Sequence, residues 1–171
     1  MTDFSYLNVD NAYKLINQKV TKTPLVTNDY INNLLEAEIY FKLENLQNTG
    51  SFKLRGATHK ITKLIENVKD SGVVAYSSGN HAQAVAYASM INSISAKIIM
   101  PKTAPQIKIE NTKNYGAEVI LYDSYFQSRE EIGNEIQKKD NRALIKPYDD
   151  EDIIAGQGTA AIEIVNDLKE Q

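Results

Sequence analysis

The 171-residue chain contains no cysteine and only two histidines. Without cysteine it can form no disulfide bond, no cysteine-ligated zinc site and no thiol nucleophile. Two histidines are also too few for a histidine-rich metal site. The sequence therefore predicts no metal centre.

Clustered basic residues and long apolar runs are absent as well. The 19 basic residues are outnumbered by 22 acidic ones, giving a formal charge of −3 without a long basic run, which argues against nucleic acid as a partner. No apolar run is long enough to span a bilayer, and residues 1–5 have neither the basic nor the apolar segment of a signal peptide. We expect a cytoplasmic globular protein with neither nucleic acid nor membrane as partner.

The order of strand and helix patterns predicts an α/β fold. After the turn Asp70-Ser71-Gly72, short apolar strands alternate with helical patterns. The predicted strands are 73–76, 96–100, 118–121 and 143–145, and the predicted helices are 80–91, 105–114, 125–138 and 155–168. Such alternation is typical of a three-layer arrangement, a parallel sheet with helices on both faces. Before the turn, the predicted elements are helices at 8–19, 29–35 and 51–67 (with Ser51 as N-cap), an extended segment at 23–26 and a strand at 38–44.

The sequence Ser77-Ser78-Gly79-Asn80-His81 joins a predicted strand to a predicted helix. In open parallel sheets, ligands bind at the carboxyl ends of strands, where helix N-termini present free N–H groups. Two hydroxyl groups, a glycine and an amide at that place form a cradle for a carboxylate or a phosphate. The same residues could serve simply as a helix cap and a turn, and the loop alone leaves both interpretations open.

A second candidate is Lys53, in the sequence TGSFKLRGA of residues 49–57. A lysine in the first turn of a helix is electrostatically misplaced, because cations are stabilised at the C-terminal end. Apolar neighbours could lower its pKa there, which is the condition for imine chemistry with an aldehyde. The alternative is a solvated surface lysine, and this interpretation is favoured for a lysine considered in isolation. Arg55 and Gly56 add little by themselves.

Taken together, SFKLRGA at 51–57 and SSGNHAQ at 77–83 closely resemble the pyridoxal-phosphate enzymes of fold type II, the tryptophan-synthase-β fold. The nearer match is to the threonine/serine dehydratase and serine racemase branch. Three further segments support it: MPKTAP at 100–105, NYGAEV at 114–119 and IAGQGT at 154–159. The resemblance runs from about residue 8 to the end of the chain and implies pyridoxal 5'-phosphate (PLP) as the cofactor.

The resemblance also implies which residues bind the cofactor. Lys53 matches the lysine that forms the internal Schiff base with PLP. Phe52 would lie behind the pyridine ring, and Asn80 would hydrogen-bond the 3-hydroxyl group of the ring. The glycine-rich loop that binds the cofactor phosphate is expected to be absent, because the chain has no run of four glycines.

Substrate contacts follow from the same resemblance. Ser77, Asn80 and His81, with backbone N–H groups of their loop, match the clamp on the substrate carboxylate. Ser78 matches the second serine of the racemase motif, whose hydroxyl group acts as acid and base on the face opposite the lysine. Threonine dehydratases often have alanine at that position.

The implied activity is that of a threonine or serine dehydratase. Such an ammonia-lyase converts L-threonine or L-serine to a 2-oxo acid and ammonia by β-elimination, with Lys53 removing the α-proton. One alternative is serine racemase, in which Ser78 returns a proton to give the D-amino acid. Another is a catalytically inactive, truncated chain that acts as a binding domain.

Members of the resembled family are about twice as long as this chain, so we expect a truncated second domain. Residues 1–69 would be the N-terminal part of the large cofactor domain, 70–148 a small α/β domain, and 149–171 a return segment and helix of the incomplete large domain. Full-length members would form homo-oligomers that act on small amino acids.

Three features are interpreted as structural. The sequence GQGT at 156–159 would open a helix, as it does in the resembled family. The acidic residues 149–152 would be solvated before that helix, where the helix dipole favours them. His59 would lie at the surface of the 51–67 helix.

Overall fold

The computed structural model describes residues 5–169 as a succession of helices and short strands. The first part contains α1 (Tyr6–Ile16), β1 (Leu25–Thr27), α2 (Asp29–Leu35), β2 (Tyr40–Lys42), a 3-10 helix (Glu44–Leu46) and α3 (Lys53–Val68). The second part contains β3 (Val73–Tyr76), α4 (Asn80–Ile91), β4 (Ala96–Pro101), α5 (Gln106–Asn114), β5 (Glu118–Tyr122), α6 (Arg129–Asp140), β6 (Ala143–Leu144) and α7 (Glu151–Lys169). Residues 1–4 and 170–171 lie outside the described residues. The first range belongs to the N-terminal segment in which no signal peptide is predicted, and the second belongs to the predicted unit 149–171.

Four strands form a parallel sheet in the order β5-β4-β3-β6. The register aligns Val73 with Ala96 in the neighbouring strand, and Ile98 with Val119 in the next. β3 and most of β4 are buried apolar runs, as expected for strands in the middle of a parallel sheet. The helices between the strands return the chain to the starting edge, which parallel pairing requires. The predicted α/β fold is confirmed.

Helices cover both faces of this sheet, so the prediction of three layers is also confirmed. Alternate residues of a strand point to opposite faces. Val73 and Ala75 pack in the core that contains residues of α3, α4 and α5, whereas Val74 packs with Ile132 and Ile136 of α6. The larger core therefore lies on the face that also carries the Lys53 helix.

α3 is held between the sheet layer and α7. It packs against α4 on one side and against α7 on the other, and α1 packs in turn on α7. The contact with α7 is close at Gly56 and Gly156, where either glycine would clash with the facing helix if it had a Cβ atom. β1 and β2 form a separate antiparallel pair.

α7 begins at Glu151, four residues before the predicted start at 155. The carboxylate of Asp150 accepts hydrogen bonds from the backbone N–H groups of Asp152 (3.0 Å) and Ile153 (3.1 Å) and so caps the helix. The prediction that GQGT at 156–159 opens a helix is therefore wrong, because this sequence lies inside α7.

Two other helix starts differ from the prediction. α3 begins at Lys53 with Phe52 in the N-cap position, so Ser51 is not its cap, and the buried hydroxyl group of Ser51 has no hydrogen-bond partner among the described residues. α6 begins at Arg129 instead of residue 125, because the Ser128 hydroxyl accepts a hydrogen bond from the N–H of Glu131 (3.2 Å).

Within residues 5–169, no helix is both long and apolar enough to cross a membrane. All four strands of the parallel sheet fall inside the predicted unit 70–148. The division into units 1–69, 70–148 and 149–171 stays a prediction.

Candidate active site

The candidate site lies where α3 and α4 begin and where β3 and β6 end. Lys53 is the first residue of α3, and its Nζ donates a 2.8 Å hydrogen bond to the carbonyl oxygen of Pro147. His81, in the first turn of α4, hydrogen-bonds through Nε2 to the carbonyl oxygen of Ile145 (3.0 Å). Both helix starts are thus bound to one short segment after β6, at the sheet edge where ligands bind in folds of this kind.

The amine of Lys53 is half-buried, and burial lowers its pKa below the ordinary 10.5. Its Nζ lies 5.4 Å from the centre of the Phe52 ring, which is itself 44% exposed. The carbonyl oxygen of Pro147 accepts a hydrogen bond, and the Lys53 amine has N–H groups to donate in both its charged and its neutral form. The contact can therefore hold the amine in either protonation state. Lys53 is therefore not the freely solvated lysine of the alternative interpretation.

The imidazole of His81 is neutral at pH 7. Its pKa is lowered to about 4, mainly by burial and to a smaller extent by the charge of Lys53. The hydrogen bond to Ile145 acts in the opposite direction but does not outweigh them. Because the carbonyl of Ile145 accepts, Nε2 carries the proton and Nδ1 has the lone pair. This Nδ1 is buried and has no hydrogen-bond partner among the described residues.

The loop from Ser77 to Asn80 presents an uncapped helix start. The Ser77 hydroxyl accepts a 3.2 Å hydrogen bond from the N–H of Gly79, which occupies the N-cap position of α4 without a side-chain cap. Ser78 and Asn80 are exposed. Apart from its two chain neighbours, none of the described residues has an atom within 4 Å of the position that a Cβ of Gly79 would take. First-turn N–H groups at an open, uncapped helix start can bind a carboxylate, which disfavours a purely capping role for this loop.

The side chain of Asn80 contacts the next helix of the fold. Its Oδ1 accepts a 2.9 Å hydrogen bond from Nζ of Lys108 in α5. No local sequence pattern predicts a contact between two residues that are 28 positions apart, so this contact is a finding of the structure.

A cavity of about 180 Å³ adjoins the hydrogen-bond partner of Lys53. Its lining residues are Tyr76, Lys146, Pro147, Tyr148 and Asp149. The guanidinium group of Arg129 lies 5.3 Å from the centre of the Tyr76 ring. At about 30 Å³ per water molecule, the cavity has room for several waters. A small polar molecule therefore has room beside Pro147, the hydrogen-bond partner of Lys53.

Sequence reasoning missed Arg55, which is fully buried two residues after Lys53. Its guanidinium group forms paired hydrogen bonds with Glu44 (2.9 and 2.7 Å) and with Glu163 (both 2.8 Å). Burial alone would lower the pKa of Arg55, but these bonds outweigh it and raise the pKa. The network joins α3 to α7 and to the 3-10 helix. The only sequence signal for the burial of Arg55 is the adjacent Gly56, because a glycine in a helix allows a second helix to pack closely against it.

His59 and the acidic residues before α7 also differ from their predictions. His59 is buried at 5% exposure, with Nδ1 2.7 Å from the carbonyl oxygen of Asp152, so the prediction of a surface histidine is wrong. The carboxylate of Asp152 pairs with Lys60 (2.9 Å) and with Lys63. Asp150 and Asp152 are therefore not simply solvated, because their ion pairs help to join the start of α7 to α3, whereas Asp149 and Glu151 are exposed.

The model of the family described as pyridoxal-phosphate dependent enzyme matches residues 16–171. The chain is 44% identical over 164 residues to L-threo-3-hydroxyaspartate ammonia-lyase of Saccharomyces cerevisiae, covering 96% of this chain and 50% of that protein. It is 43% identical to serine racemase of Schizosaccharomyces pombe (96% and 51%) and 41% identical to a catabolic L-threonine dehydratase of Staphylococcus aureus (94% and 47%).

A solved structure shows the same fold. The serine racemase of Dictyostelium discoideum is similar with a TM-score of 0.91 and 39% identity, over 97% of this chain and 54% of that one. The chain spans about half the length of the curated relatives that it matches. The architecture described above is therefore that of the fold type II enzymes over this part of their length.

Proposed function

The chain belongs to the family of pyridoxal-phosphate dependent enzymes, and on that premise we propose that it is an ammonia-lyase that acts on L-threonine or L-serine. The observation that carries the proposal is the half-buried amine of Lys53, held by the Pro147 carbonyl beside the uncapped start of α4. The relatives named above include a dehydratase and an ammonia-lyase, which supports elimination as the main reaction.

Three features of the described residues fit PLP. The amine of Lys53 has a lowered pKa and a carbonyl group as hydrogen-bond partner, which leaves it able to bond an aldehyde carbon. The space beside Gly79 is open. The hydroxyl groups of Thr49 and Ser51, just before α3, are buried without a partner among the described residues. In the proposed site Lys53 would bond the cofactor, with Phe52 and Asn80 as the residues that would hold its ring and its 3-oxygen.

When bound, PLP supplies a ring that withdraws electrons from the α-carbon of the substrate. The residues of the chain would hold the amino acid and move protons. Burial favours the neutral form of the Lys53 amine, which is the form that can take the α-proton. The free N–H groups at the start of α4, with Ser77, Asn80 and His81 around them, would bind the carboxylate. Loss of the β-hydroxyl group as water, followed by hydrolysis, would give the 2-oxo acid and ammonia.

Ser78 favours serine racemase as a second candidate function. It is exposed on the same loop as Ser77, and its hydroxyl group would exchange a proton on the side opposite Lys53. Two relatives named above are serine racemases. Replacing Ser78 with alanine should therefore remove racemisation and leave elimination.

The test measures products from L-threonine, L-serine and L-threo-3-hydroxyaspartate in the presence of PLP. We expect 2-oxo acid and ammonia, with more 2-oxo acid than D-serine formed from L-serine. Lys53→Ala should abolish both products. Lys69→Ala, which changes an exposed lysine at the other end of the Lys53 helix, should leave them unchanged. An excess of D-serine would support the racemase instead, and full activity of Lys53→Ala would overturn both proposals.

A further inference from the structure

Lys108 in α5 and Asn80 in α4 form a hydrogen bond between these two helices, which connect strands of the parallel sheet. Nζ of Lys108, in the first turn of α5, donates a 2.9 Å hydrogen bond to Oδ1 of Asn80, the first residue of α4. β3 and β4 are neighbours in the sheet, and α4 and α5 begin at the same edge of it. The fold therefore brings the two side chains together over 28 residues of sequence.

This hydrogen bond determines which way the Asn80 amide points. An amide has an oxygen that accepts and an NH₂ group that donates, whereas a lysine ammonium group can only donate. Lys108 therefore selects the orientation in which Oδ1 faces α5. Both hydrogens of Nδ2 are left free to donate to a group on the other side of Asn80.

We propose that Lys108 is a positioning residue for the cofactor, acting through Asn80. It keeps the Asn80 amide oriented so that Nδ2 donates to the 3-oxygen of PLP, and its positive charge favours the ionised form of that oxygen. The inference rests on the proposed function, in which Asn80 binds the 3-oxygen. A nearby cation favours the anionic form of an acidic group, and solvent limits the effect because the contact is exposed.

The ionisation state of the 3-oxygen is visible in the absorption spectrum of bound PLP, because the anionic form absorbs at longer wavelength. A hydrogen bond that only joined α4 to α5 would not affect this spectrum. Lys108→Met removes the donor and the charge and keeps an unbranched side chain. Lys108→Arg keeps both, and Lys113→Met changes an exposed lysine at the other end of α5 as the matched control.

With the 171-residue chain and PLP, Lys108→Met should shift the absorption maximum to shorter wavelength. It should also weaken PLP binding by a few-fold up to about tenfold, the range for loss of one hydrogen bond. Lys108→Arg should restore most of both properties, and Lys113→Met should match the unaltered chain. Lys108→Gln repeats the loss of charge in case the methionine variant does not fold, which circular dichroism would show.

A double-mutant comparison tests whether Lys108 acts through Asn80. In an Asn80→Ala background, Lys108→Met should no longer weaken PLP binding appreciably, and its spectral shift should be reduced to the part that comes from the charge of Lys108 alone. An additional effect of full size in that background would overturn the inference. So would an unchanged spectrum and affinity in Lys108→Met, provided that borohydride fixes PLP on Lys53 of the unaltered chain. If Lys53 of the unaltered chain takes no PLP, the proposed function fails and the inference fails with it.

Discussion

Gly56 in α3 and Gly156 in α7 cross so closely that a Cβ atom on Gly156 would lie 2.6 Å from the Cα atom of Gly56. Folded proteins essentially never contain a contact that short, so a side chain here would force the two helices apart. Gly56 lies three residues after Lys53 on the same helix. The crossing therefore fixes the position of the start of α3, which carries Lys53, relative to α7.

Gly156→Ala should destabilise the fold by at least about 1–3 kcal/mol, the usual cost of overpacking a core. Urea denaturation followed by circular dichroism measures this loss. Asn166→Ala is the control, because it changes an exposed side chain of the same helix away from the crossing and should leave the unfolding midpoint close to that of the unaltered chain. Equal unfolding midpoints for Gly156→Ala and the unaltered chain would show that the helices do not cross this closely.

Arg55→Met should destabilise the fold by about 3–5 kcal/mol, because it leaves the buried carboxylate of Glu163 without its paired hydrogen bonds. Arg55→Lys should cost less, since it keeps the charge and loses the paired geometry. Replacing both Arg55 and Glu163 with methionine should not recover the loss, because Lys42 then loses its 2.7 Å ion pair with Glu163 and Glu44 still lacks Arg55. The same urea titration checks all three variants, and a cost below about 1 kcal/mol for Arg55→Met would contradict the ion network.

His81 should make the fold less stable in mild acid. Burial lowers its pKa from the ordinary 6.5 to about 4 in the folded chain. Between these values the unfolded chain binds a proton that the folded chain does not, so stability falls as the pH decreases from about 6.5 towards 4. The full shift corresponds to roughly 3 kcal/mol.

The measurement is urea denaturation of the unaltered chain and of His81→Gln at pH 7 and near pH 4.5. The difference between the two pH-dependent losses isolates the contribution of His81, because His59 and the carboxylates are common to both proteins. We expect His81→Gln to lose markedly less stability than the unaltered chain over this interval. Identical losses would mean that His81 is not buried in its neutral form.

The lowered pKa of the Lys53 amine should be measurable without any cofactor. Acetylation with a limiting reagent, followed by peptide mass spectrometry, gives the extent of Lys53 modification as a function of pH. Because burial favours the unprotonated form, the midpoint of this curve should lie below that of a lysine peptide included in the same reaction. Coincident midpoints would show that Lys53 is freely solvated.

Much of the fold follows from local sequence patterns. β3 and β4 are short apolar runs with turn residues at their ends, and α4 follows a glycine, so their positions could be predicted closely. The start of α7 could not be predicted in the same way. Asp150 caps this helix, but in the sequence an acidic residue that caps a helix cannot be told from one in a solvated acidic segment.

The site is predictable where it is local and unpredictable where it depends on distant contacts. The Ser77–Asn80 loop could be found from a strand, a glycine and a helix in succession. The partner of Lys53 is a carbonyl group 94 residues away, and main-chain carbonyls carry no sequence signal. The burial of Arg55 is not predictable from the sequence, because arginine is usually exposed and its main partners, the carboxylates of Glu44 and Glu163, come from distant parts of the chain.

The most direct test of the proposed function is to incubate the purified chain with PLP, reduce it with borohydride and map the pyridoxyl group by peptide mass spectrometry. We predict a single major label on Lys53, absent from Lys53→Ala and unchanged in Lys69→Ala. A label spread over exposed lysines, or equal labelling of Lys53→Ala, would contradict the assignment of Lys53 as the residue that binds the cofactor.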